Sequence, residues 1–263
     1  DGPAIAEGEG GVLAQVRRRG RLRVGVLDDS IPYAFTNDRQ QLVGLDVEMA
    51  SQLGRDLGVP VAFSRMRLDD LDRVVSAGSV DIVMSGVRAT PERAAAFTLS
   101  APYLEETLAV VVPDAARRDY ASWDTIRALG HVTLGIRNLP YYRDQVQQLL
   151  PEATIETLPD LTAVRPGTGT AAFVLAAERG AVLAMIDPRL TVVVPEGGTI
   201  KMPLAYPLAG ADPAWRRVID TWIALKRSDG TIGRLYDHWI RGQAATPRQP
   251  RWSILRDVLG WRR

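Results

Sequence analysis

Apolar, branched runs alternate along this chain with helical stripes, and that alternation limits the available folds more than any other feature. Arg21–Leu27 (RLRVGVL) is rich in branched residues and alternates as strands do. Leu45–Leu57 sets Leu45, Met49, Leu53 and Leu57 on one helical face, with Gly58 beyond it as a stop. Val59–Phe63 then predicts a strand, Leu68–Ala77 a helix carrying Leu71, Val74 and Val75 and ended by Gly78, and Val80–Met84 (VDIVM) a short buried strand. Such a rhythm, in units of ~30 residues, implies a mainly parallel sheet with helices on its faces. Open sheets of this kind gather ligands at the carboxyl ends of their strands, so the loops after Leu27 and Met84 are the first places to expect a site.

A second cycle follows Pro113. Trp123–Leu129 predicts a helix, Val132–Ile136 a strand, Tyr141–Leu150 a helix started near Pro140, Thr154–Leu158 a strand, Ala171–Arg179 a helix and Ala181–Ile186 a further strand. Before the first cycle, Val12–Arg19 forms a short helix stopped by Gly20; after the second come helices around Trp215–Lys226 and Thr231–Trp239. The expected division is a flexible Gly-rich leader at 1–11, a first lobe from 12–112 with 205–241, a second lobe at 113–204, and an extension at 242–263. That extension carries Trp252, Leu255, Leu259 and Trp261, which would form a small apolar face for packing or docking. Beginning at Asp1, the sequence reads as a mature product or a fragment of something longer.

Composition removes several classes of function. Lys and Arg number 32 against 31 Asp and Glu, so the sustained cationic field that grips nucleic acid is missing. Apolar runs such as Leu108–Val112 fall far short of the ~18 residues of a membrane span, and the chain is expected to be a soluble domain. With no cysteine there is no disulfide, thiolate nucleophile or Cys-ligated metal. His131 and His238 stand without partners at metal-ligand spacing, and no cofactor is called for. Neither the Gly8–Gly11 nor the Gly167–Gly169 cluster has dinucleotide spacing after a buried strand. There is no P-loop, GxSxG elbow or HExxH.

The most informative segment is Ser85–Arg93 (SGVRATPER), which leaves a buried strand and enters a helix start. Thr90 as cap, Pro91 in the first turn and Glu92 at the positive helix end are what local physics prefers. Arg93 in the same turn opposes the helix dipole, so helix stability does not explain it. One reading makes Arg88 and Arg93 a carboxylate clamp, since a guanidinium pairs with a carboxylate in two directions at once. The other makes them surface residues or partners of Glu92 or Asp81, and the residues alone leave both open.

The ordered series RLRVGV, IPYAF (31–35), GLDVEMASQLGRDLG (44–58), VDIVMSGVRATPER (80–93), FTLSAPY (97–103) and DGTIGRLYDHW (229–239) resembles the bacterial extracellular solute-binding proteins of the polar amino acid type, family 3. These include periplasmic glutamine- and histidine-binding receptors. The resemblance implies the α/β fold of type II periplasmic binding proteins: a two-lobed "Venus flytrap", each lobe a mainly parallel sheet flanked by helices, with crossing strands near Val110–Asp114 and Pro203–Pro207. By the same resemblance Arg93 matches the arginine that binds the ligand carboxylate, and Gly86 matches a backbone contact. Ser30 and Leu68 match cleft-wall positions, and Asp187, taken to follow the strand Ala181–Ile186, matches the acid that binds the ligand ammonium.

Three departures stand out. Arg88 replaces a hydroxyl residue and adds a second cation, which an extra negative charge on the ligand would answer. Ser30 replaces an aromatic lid, for which Tyr33 or Phe35 would substitute. Asn138-Leu139-Pro140-Tyr141 replaces a turn rich in N–H donors, leaving Arg137, Asn138 or Tyr141 to supply contacts. The expectation is a non-enzymatic periplasmic receptor, monomeric in isolation, that closes on an acidic or polar amino acid or a dicarboxylate. It would serve an ABC-transporter permease or a fused membrane domain, in uptake or signalling. The alternative on the same scaffold is a dehydratase of the cyclohexadienyl or arogenate type, with Asp28, Asp187 or Glu105 as acid.

Overall fold

The computed structural model describes residues 10–28, 30–137, 139–158 and 172–241. The expected leader therefore lies almost wholly, and the 242–263 extension wholly, outside the described residues. The chain divides into two compact units, one formed up to Leu104 and again from Pro203, the other by Glu105–Met202. Residues 105–112, expected in the first lobe, thus group with the second unit, where the strand Leu104–Pro113 pairs from Leu108 to Pro113 with Ala172–Ala176 and Leu190–Val193.

In the first unit the strand order is Val61–Met66, Leu22–Leu27, Ile82–Val83, Pro207–Leu208, Thr98–Leu99. The first three run parallel; Pro207–Leu208 is antiparallel to both of its neighbours. The second unit repeats the pattern as Thr154–Leu158, Thr133–Arg137, Ala172–Ala176, Leu104–Pro113, Leu190–Val193, again with an antiparallel strand in fourth place. In each of these orders four of the five strands run the same way and one is opposed, and in the second sheet Lys201–Leu204 also pairs with Leu104–Pro113. The opposed strand in each is the stretch of chain next to the passage between units, which the local periodicity could not assign to a direction.

Local signals explain most helices. Val12–Arg19 and Leu45–Leu57 each end on a glycine in the left-handed conformation, Gly20 at φ 66° and Gly58 at φ 72°, as the sequence predicts. Pro213–Ser228 starts on Asp212, whose Oδ1 accepts from the N–H groups of Ala214 and Trp215 at 2.9 and 3.0 Å. Its Oδ2 accepts the N–H of Val12 at 2.8 Å, so one carboxylate caps the starts of two helices. The helices Pro213–Ser228 and Thr231–Trp239 bury Trp215, Trp222 and Trp239 against the same core as Leu22, Val24, Leu45, Met49 and Leu53.

The sequence reading inverts one stretch. Ala171–Arg179 is expected as a helix and Ala181–Ile186 as a strand, whereas Ala172–Ala176 is a strand and Ala177–Ile186 a helix. Ala172–Ala176 is buried at every position, so it shows no alternation, and its alanines favour helix locally. Pairing on both edges, with Leu104–Pro113 and Thr133–Arg137, overrides that preference. The following helix lies so close to the sheet that a Cβ on Gly180 would come within 2.8 Å of Val111 and 3.2 Å of Val192.

Asp212→Ala removes the acceptor from both helix starts. We expect the unfolding midpoint of the first unit in urea to fall by an amount corresponding to about 2 kcal/mol. An unchanged midpoint would show the double cap to be energetically idle.

Candidate functional site

In the first unit the carboxyl ends of Leu22–Leu27, Val61–Met66 and Ile82–Val83 converge, and hydrogen bonds stitch their loops together. The Ser85 hydroxyl oxygen accepts the N–H of Leu27 at 2.9 Å, the Ser30 hydroxyl donates to the Ser85 carbonyl at 2.7 Å, and the Asp28 N–H donates to the Met66 carbonyl at 3.0 Å. The loop leaving Ile82–Val83 is held on its far side as well. Ala205 N–H donates to the Val87 carbonyl at 2.9 Å and Ala89 N–H to the Pro203 carbonyl at 2.8 Å. Arg88 is bridged to Leu204.

That loop delivers both arginines. Thr90 caps the short helix Pro91–Ala96, its hydroxyl oxygen accepting the Arg93 N–H at 3.4 Å, with Pro91 in the first turn as the sequence predicts. Arg93 is half-buried, and its Nη1 donates to the Arg88 carbonyl at 2.8 Å. This bond folds the guanidinium back over the loop that ends at the strand termini instead of releasing it along the helix. Arg88 itself is buried at 8% exposure.

The other residues expected at the site in this unit make contacts within the protein. Gly86 takes φ 61°, and its N–H donates to Asp46 Oδ2 at 2.6 Å, so that group is engaged inside the protein rather than offered to a ligand. Tyr33 is 1% exposed, and its ring lies where a Cβ on Gly86 would fall, 2.3 Å away; it is core and floor of the loop, not a lid. Phe35 is also core, edge-on to Trp239. Ser30 is buried and braces Ser85, and Leu68 packs beside the cluster that contains Met66, Val83, Val87 and Phe97.

Sequence reasoning missed Asp46. It occupies the second position of Leu45–Leu57, is fully buried, and accepts from Gly86, from the Tyr103 hydroxyl at 2.7 Å and from the Tyr206 hydroxyl at 3.0 Å. Burial first, and then the Asp46 charge, push both phenols well above their ordinary value of 10.0. Its place in GLDVEMA, an acid one residue inside a helix start, is what the helix dipole favours and gave no sign of burial.

In the second unit Asp187 is misplaced by the inverted assignment. It ends the helix Ala177–Ile186, close in sequence to Leu190, which pairs with Pro113; this is the end of the sheet away from the carboxyl end of Ala172–Ala176, where Ala176 faces Leu108. Its carboxylate accepts two bonds from the Arg189 guanidinium, at 2.9 and 2.7 Å, and these hold its pKa at about 2. The acid that follows the strand is instead Glu178, buried, with Oε2 accepting the Thr107 N–H at 3.3 Å. Beside it Arg179 pairs with Glu106 at 3.3 Å, both buried, and Lys201 Nζ donates to the Thr107 hydroxyl oxygen at 2.9 Å. Tyr141 lies in the first turn of Pro140–Leu149 at 42% exposure, edge-on to the buried Tyr142. Asn138 lies outside the described residues. Among the described residues no group of three His, Asp or Glu side chains is arranged to hold a metal ion, and no helix is long and apolar enough to cross a membrane.

Two units that share this strand order, each presenting polar side chains at the carboxyl ends of its strands, define the two-lobed α/β fold of periplasmic binding proteins. An ancestral amino acid-binding protein, described as a precursor of cyclohexadienyl dehydratase, superposes with a TM-score of 0.74 at 26% identity, covering 88% of this chain and 100% of that one. The chain belongs to the bacterial extracellular solute-binding proteins, family 3, which match residues 22–242. It is 32% identical to the L-cystine-binding protein TcyJ of Escherichia coli over 93 residues, a match spanning only 35% of either protein. It is 24% identical over 234 residues to the cyclohexadienyl dehydratase of Pseudomonas aeruginosa, 87% of this chain and 85% of that enzyme.

Two outcomes are expected. Gly86→Ala combines a left-handed φ with a clash against the Tyr33 ring, and should lower the melting temperature by several degrees, corresponding to about 2 kcal/mol or more. The raised phenol pKa values mean that the neutral form stabilises the fold fully below pH 10 and that this contribution is lost as pH rises beyond it. Tyr103 and Tyr206 should then resist ionisation, followed by phenolate absorbance, until the protein unfolds, and the alkaline loss of stability should be shallower in the Tyr103→Phe, Tyr206→Phe double variant.

Proposed function

We propose that this protein is a non-enzymatic receptor that captures a small amino acid or organic acid, its two units closing on the solute. It would deliver the solute to a membrane permease, or report it through a fused membrane domain, on the outer face of a bacterial inner membrane. The observation that carries the proposal is the Arg93 guanidinium, turned by the Arg88 carbonyl over the loop at the carboxyl ends of three strands. The helix is only Pro91–Ala96, so Arg93 also stands in its last turn and the dipole does not decide its role; a solute carboxylate would gain from it a charge-assisted, directional partner. Glu178, at the carboxyl end of Ala172–Ala176, takes the part of ammonium partner for which Asp187 is badly placed. A guanidinium for the carboxylate and an acid for the ammonium would select a zwitterion, and closure would be driven by the contacts that only the closed state makes. Arg88 on the same loop favours a solute with a further negative charge, an acidic amino acid or a C4–C5 dicarboxylate.

A dehydratase reading is supported by the near end-to-end alignment with the Pseudomonas aeruginosa enzyme. It requires a carboxyl that holds a proton near neutrality, and Asp187, at a pKa of about 2, is unsuited to that. Product formation from prephenate or arogenate, followed by absorbance, would establish it and displace the receptor reading.

A thermal-shift screen of amino acids and C4–C5 dicarboxylates should find a solute that raises the melting temperature. Arg93→Ala should then weaken that solute's affinity by on the order of a hundredfold in calorimetry, while the ligand-free melting temperature moves by no more than about 3 °C. Undiminished affinity in the variant would overturn the clamp.

A further inference from the structure

Asp46 is buried without any need that helix stability explains. A carboxylate near a helix start gains from the dipole while exposed to water; taking it to 0% exposure adds a desolvation cost that apolar packing would avoid. It is satisfied by donors 40, 57 and 160 residues away in sequence: the N–H of Gly86 and the hydroxyls of Tyr103 and Tyr206. Each belongs to a different backbone segment. Gly86 lies in the loop that carries Arg88 and Arg93. Tyr103 immediately precedes Leu104, where the chain leaves the first unit, and Tyr206 stands three residues after Pro203, where it returns.

These three segments also meet through their backbones. Tyr103 N–H donates to the Leu204 carbonyl at 2.9 Å, Ala205 N–H to the Val87 carbonyl at 2.9 Å and Ala89 N–H to the Pro203 carbonyl at 2.8 Å. The Tyr103 and Tyr206 rings stack at 4.1 Å between centroids and 16° between planes, which brings their hydroxyls to the same carboxylate. Backbone ladders of one or two bonds leave register and depth weakly specified; a fixed anion shared by all three segments specifies both.

We infer that Asp46 is a positioning residue whose buried carboxylate sets the loop bearing Arg88 and Arg93 against the two segments through which the chain leaves and re-enters the first unit. It acts on Arg93 at a distance. Gly86 is fixed by Asp46, the Arg88 carbonyl follows two residues later, and that carbonyl holds the Arg93 guanidinium. The effect on solute affinity rests on the receptor reading, while the effect on the three segments does not.

The test uses Asp46→Asn, in which only one oxygen remains to accept, with Tyr103→Phe and Tyr206→Phe as milder variants that each remove one hydroxyl. Without solute, hydrogen–deuterium exchange should rise together in peptides covering 85–90, 103–108 and 200–206, and stay at wild-type rates in 133–137 and 213–228. For the solute found by the screen on wild-type protein, the dissociation constant should rise on the order of tenfold in Asp46→Asn. Faster exchange confined to 45–57, or spread evenly through the chain in step with a lower melting temperature, would overturn the inference. Should Asp46→Asn fail to fold, the exchange pattern of Tyr206→Phe decides by the same criterion. Should no solute bind the wild type, the receptor reading fails and the exchange pattern still decides the role of Asp46.

Discussion

The loop that carries Arg88 and Arg93 is fixed from three sides, and the position of both side chains depends on it. Here the segment Ser85–Thr90 is held on one side by hydroxyl contacts from Ser30 and Ser85, on the other by backbone pairing with 203–205, and from beneath by the Tyr33 ring and the Asp46 carboxylate. Gly86 is what lets these constraints coexist. Its left-handed φ turns the chain, and the missing Cβ leaves room for the aromatic ring. The orientation of Arg93 depends on all of this, since its anchor is a carbonyl of the same loop.

The second unit solves a comparable problem with different residues. Its helix Ala177–Ile186 starts beside a buried Glu106–Arg179 pair and a Glu178 tied to the backbone of Thr107, so these side chains are held in place by partners within the unit. Breaking a buried pair of this sort leaves an uncompensated charge, which is far costlier than the pair is stabilising.

Helices with terminal signals were legible from local chemistry: Gly20, Gly58, Thr90, Pro91 and Pro140 each mark an end that the structure keeps. Arg93 drew notice as a cation in a helix's first turn, but the helix is only Pro91–Ala96, so Arg93 also stands in its last turn, where a cation is favoured. The Ser30 hydroxyl, the Tyr33 ring and the Gly86 N–H, expected near a ligand, each also make a contact within the protein that residue type did not announce. Exposure is not written in residue type, and a tyrosine or serine near a strand end looks the same facing a pocket or facing a core. Asp187 failed for another reason: a fully buried central strand carries no alternation, so AAFVLAAERGAVLAMI reads equally well with its strand and helix exchanged.

The sequence by itself determined that the chain would alternate strands and helices in two cycles, where most of those elements start and stop, and that a loop after the third strand carries two arginines. These are matters of periodicity and capping, settled within a few residues. Tertiary structure decided the direction of the fourth strand in each sheet, the exchange of strand and helix around Ala177, and the burial of Asp46 among partners up to 160 residues away. Each of those depends on which distant segment supplies the neighbouring backbone or the opposing donor, and no local propensity encodes that.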